Sequence, residues 1–270
     1  MTTKPSIVSL LGIPYDETSS FLRGPALAPS RIREALHCGS SNWCAEVGLD
    51  LSTTSRWSDQ GDITVGVAEV AREQIEIAVT TQLQKNAHVF SLGGDHSITY
   101  PILRAYAKRY TELSVLQIDA HPDLYAEYDG NPYSHACSFA RIMEERLATR
   151  LVQMGIRGTN PHQREQAERF GVEVIEMRQW NPQSIPRFDG PVYLSLDLDG
   201  VDPAFAPGVS HPEPGGFTSR EVVSLIQGLS GSLVGADVVE LNPHKDSLGI
   251  TAMLAAKLVK ELLAKMLSGS

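Results

Sequence analysis

Short apolar runs alternate with stretches whose apolar residues recur every three or four positions, and the alternation continues along the whole chain. The runs at 6–12, 88–94, 113–121, 150–157, 172–177, 191–199 and 233–241 are short and apolar, as buried strands are. Helical periodicity marks 28–36, 66–86, 100–110, 135–147, 162–171, 219–229 and 249–267. Ser30 is placed to cap the first of these helices, and Gly171 to close the fifth. In 66–86, Val67, Val70, Ile75, Ala78 and Val79 approximate one apolar stripe. Strand then helix, repeated this often, predicts an α/β fold: a three-layer α/β/α arrangement with a central, mostly parallel sheet. No Ser/Gly-rich linker or internal repeat interrupts the pattern, so residues 1–270 are expected to form one domain.

Sheets of this kind carry their sites beyond the carboxyl ends of the strands. Polar residues collect there: "GGDH" after 88–92, "DAHPD" at 119–123, "DLDGVD" at 197–202 and "ELNP" at 240–243. Alternation places Asp119, His121 and Asp123 on one face if the strand stays extended, and Asp197 and Asp199 likewise. His96 follows a double glycine that can aim it over the sheet. Four clustered carboxylates repel strongly in a buried site. Two divalent ions sharing carboxylates compensate that charge better than one. Oxygen-rich donors with a minority of imidazole and no thiolate suit Mn²⁺, and less so Mg²⁺ or Fe²⁺. A dinuclear site of this kind activates water at neutral pH, so metal-assisted hydrolysis is the expected reaction class. Asp202, before Pro203, reads as a turn residue. On their own, His135, His162, His211 and His244 read as surface or satisfied side chains.

The formal charge of −9 argues against nucleic acid or an anionic membrane as partner and favours a cationic substrate. Three cysteines, Cys38, Cys44 and Cys137, without a disulfide or ligand spacing, fit a reducing compartment. The opening "MTTKPSIVSLLGIP" has neither signal-peptide nor transit-peptide character, and the apolar 249–267 stretch is broken by four charges. A cytoplasmic protein is expected.

"SLGGDHSIT" (91–99), "DAHPD" (119–123) and "SLDLDGVDPAFAPG" (195–208) resemble, in order, the signature segments of the ureohydrolases, the arginase and agmatinase family. The likeness extends over nearly the whole chain. "GNPYSHACSFARIME" and "GITAMLAAKLV" give it the style of the plant-type arginases. The resemblance implies an arginase-like fold, two Mn²⁺ ions per subunit and hydrolysis of a small cationic guanidino substrate with release of urea. It implies that His96, Asp119, Asp123 and Asp197 hold one ion. Asp119, His121, Asp197 and Asp199 then hold the other. His135 matches a histidine that shuttles protons, and Glu240 an acid that pairs with the guanidinium. A homo-oligomer, trimer or hexamer, is also implied.

Tyr125 stands where an asparagine is expected to meet an amino acid's carboxylate, and Asn160 where an aspartate is expected to meet its ammonium. Asn131, Ser134 and His211 are the alternative candidates for the far end of the substrate. L-Arginine is the leading substrate, with agmatine or a guanidino acid as rivals. Two readings from other classes are a dinuclear phosphoesterase, which these acidic strand ends disfavour, and a non-catalytic regulatory homologue. The complete set of six ligands with His135 disfavours the latter.

Overall fold

A computed structural model describes residues 7–268. Residues 1–6, with Ser6, the first residue of the first expected strand, lie outside the described residues. Eight strands form one sheet: β1 (Ile7–Gly12), β2 (Trp57–Asp62), β3 (Ala87–Leu92), β4 (Ser114–Ile118), β5 (Arg150–Ile156), β6 (Glu173–Glu176), β7 (Pro191–Asp197) and β8 (Ser232–Val239). Their order is β2-β1-β3-β8-β7-β4-β5-β6, and every pair is parallel.

Among the described residues, seven α-helices cover both faces. α1 (Ala28–His37), α6 (Ser219–Gly228) and α7 (Ile250–Ser268) pack on one side, through Ile32, Leu36, Val222, Ile226, Leu258 and Leu262. α2 (Ala68–Gln84), α3 (Thr99–Ala107), α4 (Ser138–Glu144) and α5 (Pro161–Phe170) pack on the other, through Ile75, Val79, Leu103, Phe139 and Ala167. Full burial of each such aliphatic or aromatic side chain contributes about 1.5–3 kcal/mol, so the two layers hold the sheet without a disulfide. The expected three-layer fold is therefore the observed one. No helix among the described residues is long and apolar enough to cross a membrane.

Two local expectations need correction, and one strand was not expected at all. Ser30 does not cap α1: Leu27 occupies that position, and Ser30, inside the helix, donates from Oγ back to the Leu27 carbonyl at 3.0 Å. The buried stripe of α2 is Ala71, Ile75, Val79 and Leu83, at strict four-residue spacing, while Val67 and Val70 are exposed. β2, "WSDQGD", is a mostly exposed edge strand that apolar periodicity could not reveal. Backbone pairing with β1 and the bidentate Arg33–Asp59 ion pair hold it. Gly171 closes α5 as expected, in the left-handed conformation at φ +65°.

Candidate metal centre

The expected metal-binding residues converge at the carboxyl ends of three strands, β3, β7 and β4, and β8, which leads to Glu240, lies between β3 and β7. Gly93 and Gly94 lead out of β3. A Cβ on Gly94 would lie 1.7 Å from the Tyr15 carbonyl oxygen, so close backbone approach demands the glycine. The chain then makes one 3-10 turn over His96–Ile98, capped by Asp95, which accepts from Ser97 N. This buries His96 completely. Its Nδ1 lies 3.0 Å from Asp119 Oδ2, 3.1 Å from Asp123 Oδ2 and 3.1 Å from Asp197 Oδ2, yet hydrogen-bonds to none of them. Three carboxylate oxygens at nearly equal distances from an unsatisfied nitrogen form the donor set of a cation.

The extended alternation does not run on as far as Asp123. β4 stops at Ile118, and the chain turns so that Asp123 takes φ +51°. His121 N donates to Asp119 Oδ1 at 2.6 Å within that turn. Likewise β7 ends at Asp197, and Asp199 sits in a 3-10 turn, its N–H held by Asp197 Oδ1 at 2.8 Å. Asp199 Oδ1 accepts from Ala120 N at 3.1 Å, and Oδ2 faces His121 Nδ1 at 3.0 Å. Two donor groups result: His96, Asp119 and Asp123, and Asp119, His121 and Asp199, with the donor atoms of each group within 4.8 Å of one another. Asp119 belongs to both, and Asp197 adjoins the first through His96.

Electrostatics shows what the protein alone leaves uncompensated. Burial, reinforced by the Asp119 charge, pushes the Asp123 carboxyl up to about 6. Burial and then repulsion from Asp199 and Asp119 raise Asp197 well above the carboxylate range. Burial disfavours charge on His121, but Asp199 and Asp119 outweigh it and push the imidazole up to about 12. The cluster holds its charge poorly without a counter-ion, and divalent cations fit its oxygen and imidazole donors.

A buried network orients His96. Its Nε2 lies 2.9 Å from Ser195 Oγ, and Ser195 donates its one proton to Asp237 Oδ1 at 2.7 Å. The hydroxyl therefore accepts from His96 Nε2–H, so the neutral ring, the form that binds a cation, presents the Nδ1 lone pair to the carboxylates. Thr99 Oγ1 and Tyr193 OH donate to the other Asp237 oxygen at 2.9 and 2.7 Å. Sequence reasoning missed Ser195 and Asp237. The available signal was parity: Ser195 lies two residues before Asp197 in β7, and Asp237 is directly opposite Ser195 in β8.

Glu240 and His135 form the adjoining wall. Glu240 has φ +66°, a left-handed backbone that costs a non-glycine residue about 1–2 kcal/mol and is typical of functional sites. Its Oε1 accepts from His135 Nδ1 at 2.7 Å and from His96 N at 2.9 Å, while Oε2 is buried with no hydrogen-bond partner. Burial raises the Glu240 carboxyl, but His135 outweighs it, and the net shift is downward, so the group is ionised. Burial disfavours the His135 imidazolium, yet Glu240 overrides this and pushes it up to about 9. His135 Nε2 meets Ser20 N at 3.1 Å and Ser20 Oγ at 2.8 Å. Ser20 was not foreseen. Its loop is pinned by the buried Asp95, whose Oδ2 accepts from Thr18 N at 3.1 Å and Thr18 Oγ1 at 3.0 Å. Asp95, the acid in "GGDH", thus anchors the site wall rather than facing a cation.

A cavity of about 150 Å³ opens over these groups. His121, Asp123, His135, Asp197, Asp199 and Glu240 line its floor, with Ser20, Tyr125, Tyr128, Gln163 and His211 around them. His211 is thus in the site. Asn131 and Ser134 are not in its lining: Asn131 is exposed and accepts from Tyr133 N at 2.9 Å, and Ser134 donates to the Thr18 carbonyl at 3.4 Å. Asp202 is the expected turn residue, accepting from Ala204, Gly215 and Gly216 N–H groups.

The model of the arginase family matches residues 6–264. The chain belongs to the arginase family. It is 47% identical over 278 positions to "Arginase 1, mitochondrial" of Arabidopsis thaliana, covering 96% of this chain and 80% of that one. The solved arginase of Medicago truncatula superposes with a TM-score of 0.92 at 43% identity, covering 97% of this chain and 88% of that one. An agmatinase of Bacillus anthracis is 33% identical, covering 96% of this chain and 91% of that one. The arginase family is metal-dependent, which agrees with the donor groups described above.

Proposed function

We propose that this arginase-family chain is a ureohydrolase that binds two Mn²⁺ ions and hydrolyses L-arginine to L-ornithine and urea. The observation that carries this reading is Glu240 Oε2, a buried anionic oxygen at the cavity with no partner. An unpaired buried charge is costly, and a planar guanidinium supplies the missing donor. Its charge matches a substrate cation rather than a phosphate.

His96, Asp119, Asp123 and Asp197 would hold one ion, and Asp119, His121, Asp197 and Asp199 the other. Bound there, the ions supply Lewis acidity and water activated at neutral pH. Glu240 binds and orients the guanidinium, placing its central carbon over the cluster. His135 carries one proton on Nδ1, held by Glu240. As the imidazolium it carries a second on Nε2, beside Ser20 at the cavity wall. That Nε2 proton is the one free to pass to the departing amine as the C–N bond breaks, giving ornithine. In the neutral ring Nε2 instead accepts from Ser20 N–H at 3.1 Å, and in the imidazolium its proton faces Ser20 Oγ at 2.8 Å.

Agmatine is the second reading, favoured by one observation: among the described residues no Lys or Arg lines the cavity to receive a substrate carboxylate. The deciding experiment measures urea release from L-arginine and from agmatine by the Mn²⁺-loaded protein, with a chelated control. Faster turnover of arginine is expected, and faster turnover of agmatine overturns the arginase reading. Residues 1–270 are proposed to act as one domain, supported by the single sheet that both helix layers share. Free cysteines support a reducing, cytoplasmic setting for this chain, although the Arabidopsis relative is named mitochondrial. A trimer or hexamer is proposed from the family resemblance.

A further inference from the structure

The donor group of Asp119, His121 and Asp199 draws on two separate chain segments, the turn after β4 and the turn after β7. Arg157 belongs to neither segment and touches both. It follows β5, which pairs with β4 and is not a neighbour of β7. Its backbone N–H donates to the Ala120 carbonyl at 2.9 Å, between Asp119 and His121. Its side chain reaches the other turn, where Nη2 donates to the Asp199 carbonyl at 2.7 Å and Nη1 to the Gly200 carbonyl at 3.2 Å. The two turns meet closely there: a Cβ on Gly200 would lie 2.9 Å from Asp119 N.

The rest of the guanidinium is used in the same way. Nη1 also donates to the Gly155 carbonyl at 3.0 Å, and Nε and Nη2 donate to the Glu213 carbonyl at 3.0 and 2.5 Å. All five N–H donors are thereby met by main-chain oxygens, and none by a carboxylate. An arginine in an ion pair balances charge, whereas one held by carbonyls from three loops fixes backbone. Glu213 lies two residues past His211, so the clamp also secures a wall of the cavity.

We infer that Arg157 is a positioning residue for one of the two cations: it locks the turn after β7 against the turn after β4, holding the donor atoms of Asp199, His121 and Asp119 together. The inference rests on the two-ion reading proposed above and deepens it, because one donor group depends on this clamp and the other does not. His96, in that other group, is held instead through Ser195 and Glu240.

The test is Arg157→Lys, which keeps the positive charge and loses the planar fork. Chelator-stripped protein is titrated with Mn²⁺, and two ions are expected on the wild type. In the variant one ion weakens roughly 10- to 100-fold, the usual cost of losing a contact that orients a metal ligand, while the other changes less than about three-fold. Electron paramagnetic resonance gives a second readout: the signal of a coupled Mn²⁺ pair gives way to that of single ions. Unchanged affinities, or equal losses at both ions, overturn the assignment. Should Arg157→Lys fail to melt cooperatively, Gly216→Ala decides. Its added Cβ would lie 2.5 Å from Arg157 Nη2, so the same selective weakening is expected, and two unaltered ions or equal losses overturn the assignment. Wild-type stoichiometry and urea release test the ureohydrolase reading, and the difference between wild type and variant tests Arg157, so the two can fail separately.

Discussion

His96 Nε2 and Ser195 Oγ lie 2.9 Å apart in the fully buried interior, and Ser195 hands its only proton on to Asp237. That contact decides which histidine nitrogen is free to bind a cation. Ser195→Ala is therefore expected to weaken Mn²⁺ binding roughly 10- to 100-fold, as loss of a ligand-orienting contact does. Isothermal titration of chelator-stripped protein checks this, and an affinity within two-fold of wild type would refute it.

Glu240→Gln keeps the shape of the guanidinium site and removes its charge. It also removes the anion that raises His135. A fall in kcat/KM of about 10²–10³ is expected, consistent with loss of a preorganised electrostatic contact. Mn²⁺ stoichiometry should stay unchanged, since Glu240 contacts the backbone of His96 rather than its ring. Loss of metal in this variant would mean that Glu240 serves the cation centre instead.

Protons and cations compete for the same oxygens. With Asp123 raised to about 6 by burial and by Asp119, Mn²⁺ affinity should decline as pH falls through that value. The Tm increment produced by saturating Mn²⁺ should shrink in step. Measuring that increment at pH 7.5 and 5.0 gives the answer, and equal increments would count against a carboxylate site.

His88 supplies an acid sensitivity independent of metal. Burial, with the nearby Arg109, lowers its imidazole to about 4 in the folded protein. An unfolded histidine titrates near 6.5, so between those values the unfolded chain binds the extra proton and stability rises with pH. The loss on acidification begins below about 6.5 and is complete below about 4, at no more than about 1.4 kcal/mol per pH unit. Urea denaturation of chelator-treated protein should show a flatter pH dependence for His88→Gln than for wild type across this window.

Particular residues show why parts of this structure could be read in advance. Asp119, His121, Asp123, Asp197 and Asp199 were legible because carboxylates and imidazoles at the ends of apolar strands have no cheap structural explanation. Their route into the site was not. It depends on Asp123 at φ +51° and on the 3-10 turn at Asp199, where local hydrogen bonds replace the extended backbone. Ser20 was hidden because its contact with His135 spans 115 positions, and a lone serine carries no pattern. β2 was hidden because an exposed edge strand needs no apolar alternation. Asn131 and Ser134 stand out in the sequence as polar residues on the loop after the "DAHPD" segment, and the turn there sends both away from the cavity.

β8 adds a constraint of timing. It is inserted between β3 and β7, although it is the last strand in the chain, and it carries Asp237 and leads to Glu240. The contact between Glu240 and His96 spans 144 positions, and that between Ser195 and His96 spans 99. A polypeptide emerging from the ribosome therefore exposes its cluster of acids well before the strand that completes the sheet has been made. Long-range pairing of this kind is slow to form. A chain cut short before residue 232 carries all six expected ligands but lacks Asp237, which holds Ser195 against His96, and Glu240, which accepts from His96 N.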